Sequence, residues 1–175
     1  NGACAATDST EVHVDSTVLA TIDPQGPFCE SDAAIILTAA DNGGTWSGPG
    51  VSGDSFDPAS AGSGSHTITY DITNGACADS DTEVLDVDAA PDPTIDPVSD
   101  LCEDEAAITL NAATAGGTWS GTGVSGDQFD PTTAGPGDHI ITYDVTNGAC
   151  TASDNITIHV DSIVDATIDP QGPFC

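Results

Sequence analysis

Two kinds of side chain in this 175-residue chain could do chemistry: six cysteines and twenty-nine carboxylates. The cysteines occupy two positions of a regular spacing, with Cys4, Cys77 and Cys150 in one series and Cys29, Cys102 and Cys175 in the other, each 73 residues apart. The gaps alternate between 25 and 48 residues, with no CxxC and no neighbouring histidine. A zinc site needs clustered ligands, so the pattern suits a disulfide framework in an oxidising compartment. Among the carboxylates, Asp54/Asp57 and Asp127/Asp130 stand three apart in Asp-x-Phe-Asp-Pro turns. Such a pair can share a hard cation, and calcium takes about six to eight oxygens. These four residues are the candidate calcium ligands, with Asp23, Asp96, Asp86, Asp88 and Asp161 near the module junctions as further oxygens. No Ser-His-Asp order recurs with a nucleophile turn, so the chain is not expected to be an enzyme.

What positions these residues is a repeat. Asn74-Gly75-Ala76-Cys77 returns at 147–150 and also stands at 1–4, and the Gly-Gly-Thr-Trp-Ser-Gly of 43–48 returns at 116–121. A fixed period of this size signals an array of similar modules. Residues 18–90 form one full period and 91–163 the next. Residues 1–17 then read as the C-terminal end of a preceding repeat and 164–175 as the start of a following one, a window on a longer polymer. A second order of repetition is visible too. Residues 1–29 match 147–175 at 21 of 29 positions but match 74–102 at only 13, which suggests a two-module unit of 146 residues.

Composition narrows the function. The chain has no Lys or Arg and a formal charge of −29. Nucleic-acid phosphates and anionic membrane surfaces are recognised through basic residues, so both are excluded as partners. Self-repulsion of this size is tolerable where salt screens it, as in an ion-rich exterior. Without lysine, a Lys–Asn or Lys–Asp isopeptide cross-link is impossible, and covalent stiffening falls to cysteine. No apolar run reaches the 18 or so residues of a membrane span.

Each module reads as all-β. Gly, Pro, Asn and Asp punctuate the chain every eight to twelve residues, with Val, Ile, Thr and aromatics between them and no helix signal. Residues 33–40 read as a buried strand, and Thr45-Trp46-Ser47 as the next, with Trp46 facing inward. Ser55-Phe56-Asp57 is a short strand ended by Pro58, and residues 61–65 are a loop. In 66–73, His66, Ile68, Tyr70 and Ile72 share one face and the threonines and Asp71 the other, the period of a half-buried strand. Asn74-Gly75 marks a hairpin, 82–87 is the return strand, and Thr21-Ile22 and Thr94-Ile95 are edge strands. Trp46, Trp119, Tyr70, Tyr143, Phe56 and Phe129 are the expected core. Either Trp could instead stack on a sugar. His66 and His139 are expected to be hydrogen-bonded structural residues.

Gly-Gly-Thr-Trp-Ser-Gly-x-Gly-Val-Ser-Gly, Phe-Asp-Pro, Ala-Gly-x-Gly-x-His-x-Ile-Thr-Tyr and Asn-Gly-Ala-Cys together resemble the tandem Ig-like and PKD-like repeats of very large secreted Bacteroidetes surface proteins. These are exported by the gliding-linked type IX system and often act as adhesins. The resemblance covers the whole chain. It implies immunoglobulin-like β-sandwich modules in a linear array, and a structural shaft of an extracellular filament or giant cell-surface adhesin. The alternatives are a glycan- or surface-binding module array, or a spacer arm of a larger secreted enzyme. The partners implied are further copies of the repeat, in the same or neighbouring chains, and a glycan or surface ligand at an unseen tip. In an immunoglobulin-like module the two cysteine positions fall at opposite ends. Cys29 is therefore expected to meet Cys150 across a module junction, with Cys29–Cys77 inside one module as the alternative. Cys4, Cys77, Cys102 and Cys175 would pair with equivalent cysteines. Ser9, Ser16 and Ser162 fit an Asp-Ser/Thr O-glycosylation pattern of that group, and Asn155-Ile156-Thr157 fits an N-linked one.

Overall fold

The computed structural model describes Cys4 and residues 6–164. The chain divides between Val87 and Asp88 into two compact units. Unit 1 carries β1 (Phe28–Cys29), β2 (Ile35–Ile36), β3 (Thr45–Ser47), β4 (Val51–Ser52), β5 (Ser55–Phe56), the single-turn helix α1 (Pro58–Ala61), β6 (Gly64–Asn74) and β7 (Cys77–Asp88). Unit 2 carries the same sequence of elements: β8 (Leu101–Cys102), β9 (Ile108–Thr109), β10 (Thr118–Ser120), β11 (Val124–Ser125), β12 (Gln128–Phe129), α2 (Pro131–Ala134), β13 (Gly137–Asn147) and β14 (Cys150–Asp161).

Each unit has a four-stranded and a three-stranded sheet, ordered β1-β7-β6-β3 with β2-β5-β4, and β10-β13-β14-β8 with β11-β12-β9. The chain is all-β, and the long hairpins dominate it. Along β6 the odd–even pattern buries Ile68, Tyr70 and Ile72 and exposes Thr67, Asp71 and Thr73, as period-2 geometry requires. Antiparallel pairing with β7 runs in register from Gly64↔Val87 to Asn74↔Cys77. The hairpin closes through Gly75-Ala76, with Gly75 at φ +59° and Ala76 at negative φ. Only the first loop residue needs the left-handed region, which is why glycine stands there.

The inner faces enclose small cores. In unit 1, Phe28, Leu37, Phe56, Ile68, Leu85 and Val87 form one buried cluster, and Ala20, Ile22, Tyr70 and Ile72 a second. Unit 2 repeats this with Leu110, Phe129, Ile141, Ile158 and Val160, and with Ile95, Tyr143 and Val145. The core expected for both phenylalanines and both tyrosines is present. Each tryptophan is half-buried and packs against both clusters of its unit rather than lying wholly inside.

Four expectations are corrected. The strand expected over 33–40 shrinks to Ile35–Ile36, with Ile36 turned to solvent and Leu37 buried, and Leu37 N extends the same antiparallel register by one bond to Asp54 O at 2.8 Å before the pairing ends. The edge strands at Ile22 and Ile95 reduce to single bridges to Ala39 and Ala112. The return strand begins at Cys77, five residues before 82, since its polar half pairs as fully as its apolar half. A helical turn begins at Pro58 and at Pro131: Pro sits in the first turn, where its missing N–H costs nothing, and Asp57 or Asp130 caps it.

Phe129 is fully buried at the centre of its cluster. Truncating it (Phe129→Ala) is expected to destabilise unit 2 by about 3–5 kcal/mol. Denaturant unfolding of the whole chain measures this, and a loss under about 1 kcal/mol would remove Phe129 from the core.

Candidate functional site

The most specific polar arrangement in each unit lies at the tip of the long hairpin. In unit 1 the Asp15 carboxylate accepts from Ala76 N at 2.7 Å, and Asn74 Nδ2 donates to Ser16 O at 3.1 Å. In unit 2 the Asp88 carboxylate accepts from Ala149 N at 2.7 Å, and Asn147 Nδ2 donates to Ala89 O at 2.8 Å. The cysteine that opens the return strand lies under the same residue: Cys77 Sγ is 3.8 Å from Asp15 O, and Cys150 Sγ is 3.3 Å from Asp88 O. A Cβ on Gly75 or Gly148 would overlap the bound carboxylate, at φ +59° or +56°. The Asn-Gly-Ala-Cys signature is thus a receptor for one aspartate. The sequence reading missed this role and gave Asp88 to calcium. The signal was available, since Asp15, Asp88 and Asp161 recur at the same period as the signature.

Cys29 and Cys150 are disulfide-bonded and buried, whereas Cys4, Cys77 and Cys102 are free thiols. The within-module alternative, Cys29–Cys77, is therefore not formed. Unit 2 shows why: Cys150 begins β14 and Cys102 lies opposite Asp161, the last residue of that strand. A strand rises about 3.3 Å per residue, so these positions are tens of ångströms apart, against about 7 Å between Cα atoms for a bridge. Among the described residues Cys4, Cys77 and Cys102 are unbonded, so their expected pairing with equivalent cysteines is not met there. Cys175 lies outside the described residues.

The paired aspartates have separate tasks. Asp57 accepts from Ala59 N and Ser60 Oγ, and Asp130 from Thr132 N and Thr133 Oγ1, as helix N-caps. The hydroxyl bonds from Ser60 and Thr133, followed by the backbone amides, hold both carboxyls below their usual range despite some desolvation. Asp54 and Asp127 contribute backbone carbonyls to Leu37 N and Leu110 N. Asp23 accepts from Thr38 Oγ1 and Asp86 from Ser65 Oγ. Among the described residues no three His, Cys, Asp or Glu side chains are grouped to hold a metal ion.

The aromatic residues brace the fold. Tyr70 OH donates to Asp41 O at 2.7 Å and accepts from Gly44 N at 2.8 Å, and Tyr143 OH does the same with Thr114 O and Gly117 N. Trp46 and Trp119 stack at a tilt, 4.4 Å from those tyrosines. An open groove runs beside each pair, about 620 Å³ in unit 2 and 350 Å³ in unit 1, with Asp127 and Asp54 on its wall. His66 and His139 bond Gly62 O and Gly135 O at 2.7 Å, the structural role expected of them. Ser9, Ser16, Ser162 and Asn155 are all exposed.

One cluster is peculiar to unit 2. His159 Nδ1 meets Asp138 at 2.5 Å and Nε2 meets Asp161 at 3.4 Å, where unit 1 has Asp86 and Ser65. The Asp138 hydrogen bond raises the His159 pKa above 6.5 against an opposing desolvation, with further help from the charges of Asp138, Asp161 and Asp100.

No protein-family model matches the chain, and no curated protein matches it.

Two predictions test these contacts. Gly148→Ala is expected to destabilise unit 2 by about 1–3 kcal/mol, since it strains a positive φ and leaves the Asp88 carboxylate unsatisfied. The equivalent change at Gly126, where a Cβ meets nothing within 4 Å, controls for positive φ alone (+65°). Equal losses at the two sites would remove the aspartate receptor. For His159 the folded pKa is raised, so its stabilising contribution is complete below pH 6.5 and fades as pH rises through the folded value. Melting curves of the protein and of Asp138→Asn should therefore converge at alkaline pH, and a constant difference would exclude the ion pair.

Proposed function

We propose that this chain is a structural segment, a shaft of immunoglobulin-like modules in series within an extracellular filament or giant surface adhesin. The observation that carries the reading is the recurring receptor for an aspartate at the hairpin tip. Asp88 is both the last residue of β7 and the residue held by the Asn147–Cys150 turn region of unit 2. A catalyst has no use for the same link made twice; a shaft does. The absence of basic residues, which leaves trypsin no site, suits exposure outside the cell.

The bonded cysteines support a stapled junction, Cys29 with Cys150. β1, which contains Cys29, borders β7, and in unit 2 the corresponding strands set Cys102 opposite the final aspartate. Within unit 2, Cys150 Sγ lies 3.3 Å from Asp88 O, at the tip where the proposed staple would close. On this reading a bridge joins positions 121 residues apart (150 − 29), and Cys77 and Cys102 are half-sites for equivalent bridges to further modules.

Digestion of the unreduced protein with an Asp-directed protease is expected to yield one linked pair, containing Cys29 and Cys150. A pair joining Cys29 to any other cysteine would overturn the stapled junction. Reduction should cost about 2–4 kcal/mol and lower the melting temperature by several degrees. On a glycan array the shaft should bind nothing. Binding that is lost in Trp119→Ala would instead make the grooves saccharide sites and displace the structural reading.

A further inference from the structure

The segment from Cys4 to Asp15 has the sequence of a strand and the surroundings of none. It aligns with β7 and β14 at the repeat spacing, so that Val12 corresponds to Leu85 and Ile158, and Val14 to Val87 and Val160. The four residues inside the units are 0%, 1%, 4% and 1% exposed, whereas Val12 is 80% and Val14 82% exposed. None of the described residues in 4–15 belongs to a strand or bridge. Large apolar side chains alternating along an unpaired strand are a liability unless another sheet covers them.

The far end of the segment says what covers them. Asp15 sits in the hairpin of unit 1 as Asp88, the end of β7, sits in the hairpin of unit 2, with the same 2.7 Å bond from an alanine amide. Its neighbour agrees: His13 Nε2 lies 3.0 Å from Asp15, as His159 Nε2 lies 3.4 Å from Asp161 at the end of β14. The segment therefore stands to unit 1 as β7 stands to unit 2.

We infer that residues 4–15 are a closing β-strand that completes the four-stranded sheet of another copy of this module, pairing antiparallel with an edge equivalent to β6 or β13. Val12 and Val14 enter that module's core, and Asp15 then passes into the hairpin of unit 1. Cys4 opens this strand as Cys77 and Cys150 open theirs. The inference rests on the proposed series of modules and names the partner of its N-terminal side.

The test is an extended chain in which residues 91–149 are joined directly to Cys4 of the full protein. That places an open β13-type edge immediately before the segment. A control carries residues 91–161 joined to Ser16, so that β14 itself closes the added module. Amides of residues 6–15 are expected to exchange at least 100-fold more slowly in the extended chain than in the 175-residue protein. Val12→Asp should abolish that protection while leaving the shorter protein's melting curve unchanged. If the control protects its closing strand and the extended chain does not, the strand assignment is overturned. If neither does, the modular reading beneath it falls as well.

Discussion

A chain with no Lys or Arg and twenty-nine acidic side chains has only four histidines as side-chain cations for its salt bridges. The acidic groups held in place are held by backbone amides, hydroxyls and histidine. The structure uses that constraint as its main connecting device. Asp81 and Asp154 accept from Ile22 N and Ile95 N, fixing the first segment of each unit to the last strand. Asp57 and Asp130 cap the single helical turns, Asp32 accepts from Cys29 N, and Asp15 and Asp88 fill the hairpin tips. A charge-assisted bond to an amide is stronger than a neutral one and is not screened as an exposed ion pair is. High acidity and fixed geometry are therefore compatible here, and the free carboxylates that remain face solvent.

The two units share this framework but differ where the framework does not dictate. Phe28 packs on Phe56 in unit 1, while Leu101 takes the corresponding place in unit 2. Asp79 anchors Ala20 N, but its counterpart in the second unit is Ala152. His159 and Asp138 replace Asp86 and Ser65. Each variant either keeps an apolar residue on the buried face, as at Phe28 and Leu101, or changes a polar contact at the margin. Small modules bury a modest share of their surface, so contacts at their ends carry unusual weight in holding them.

That weight falls on the hairpin tips. Asn, Gly and Ala each have a task there: the Asn amide reaches the following backbone, the Gly leaves room, and the Ala N–H donates. The bonded state of Cys29 and Cys150, beside the thiols of Cys77 and Cys102, shows that equivalent cysteines differ in their partners and not in their local fold.

By itself the sequence determined the repeat, the all-β class, the alternating faces of the long hairpins, and the core places of Phe56, Phe129, Tyr70 and Tyr143. Those follow from local periodicity and turn chemistry, which are written in neighbouring residues. It overestimated the strand at 33–40 and missed the helical turns after Asp57 and Asp130, because short elements are set by what packs on them. It also read Asp54/Asp57 and Asp127/Asp130 as a cation pair, when spacing alone cannot say whether a carboxylate faces its neighbour or its own backbone. The tertiary structure decided what each aspartate accepts from. It also separated bonded from free cysteines and brought Asp15 and Asp88 to the hairpins, since such contacts join residues some 60 positions apart that no local pattern connects.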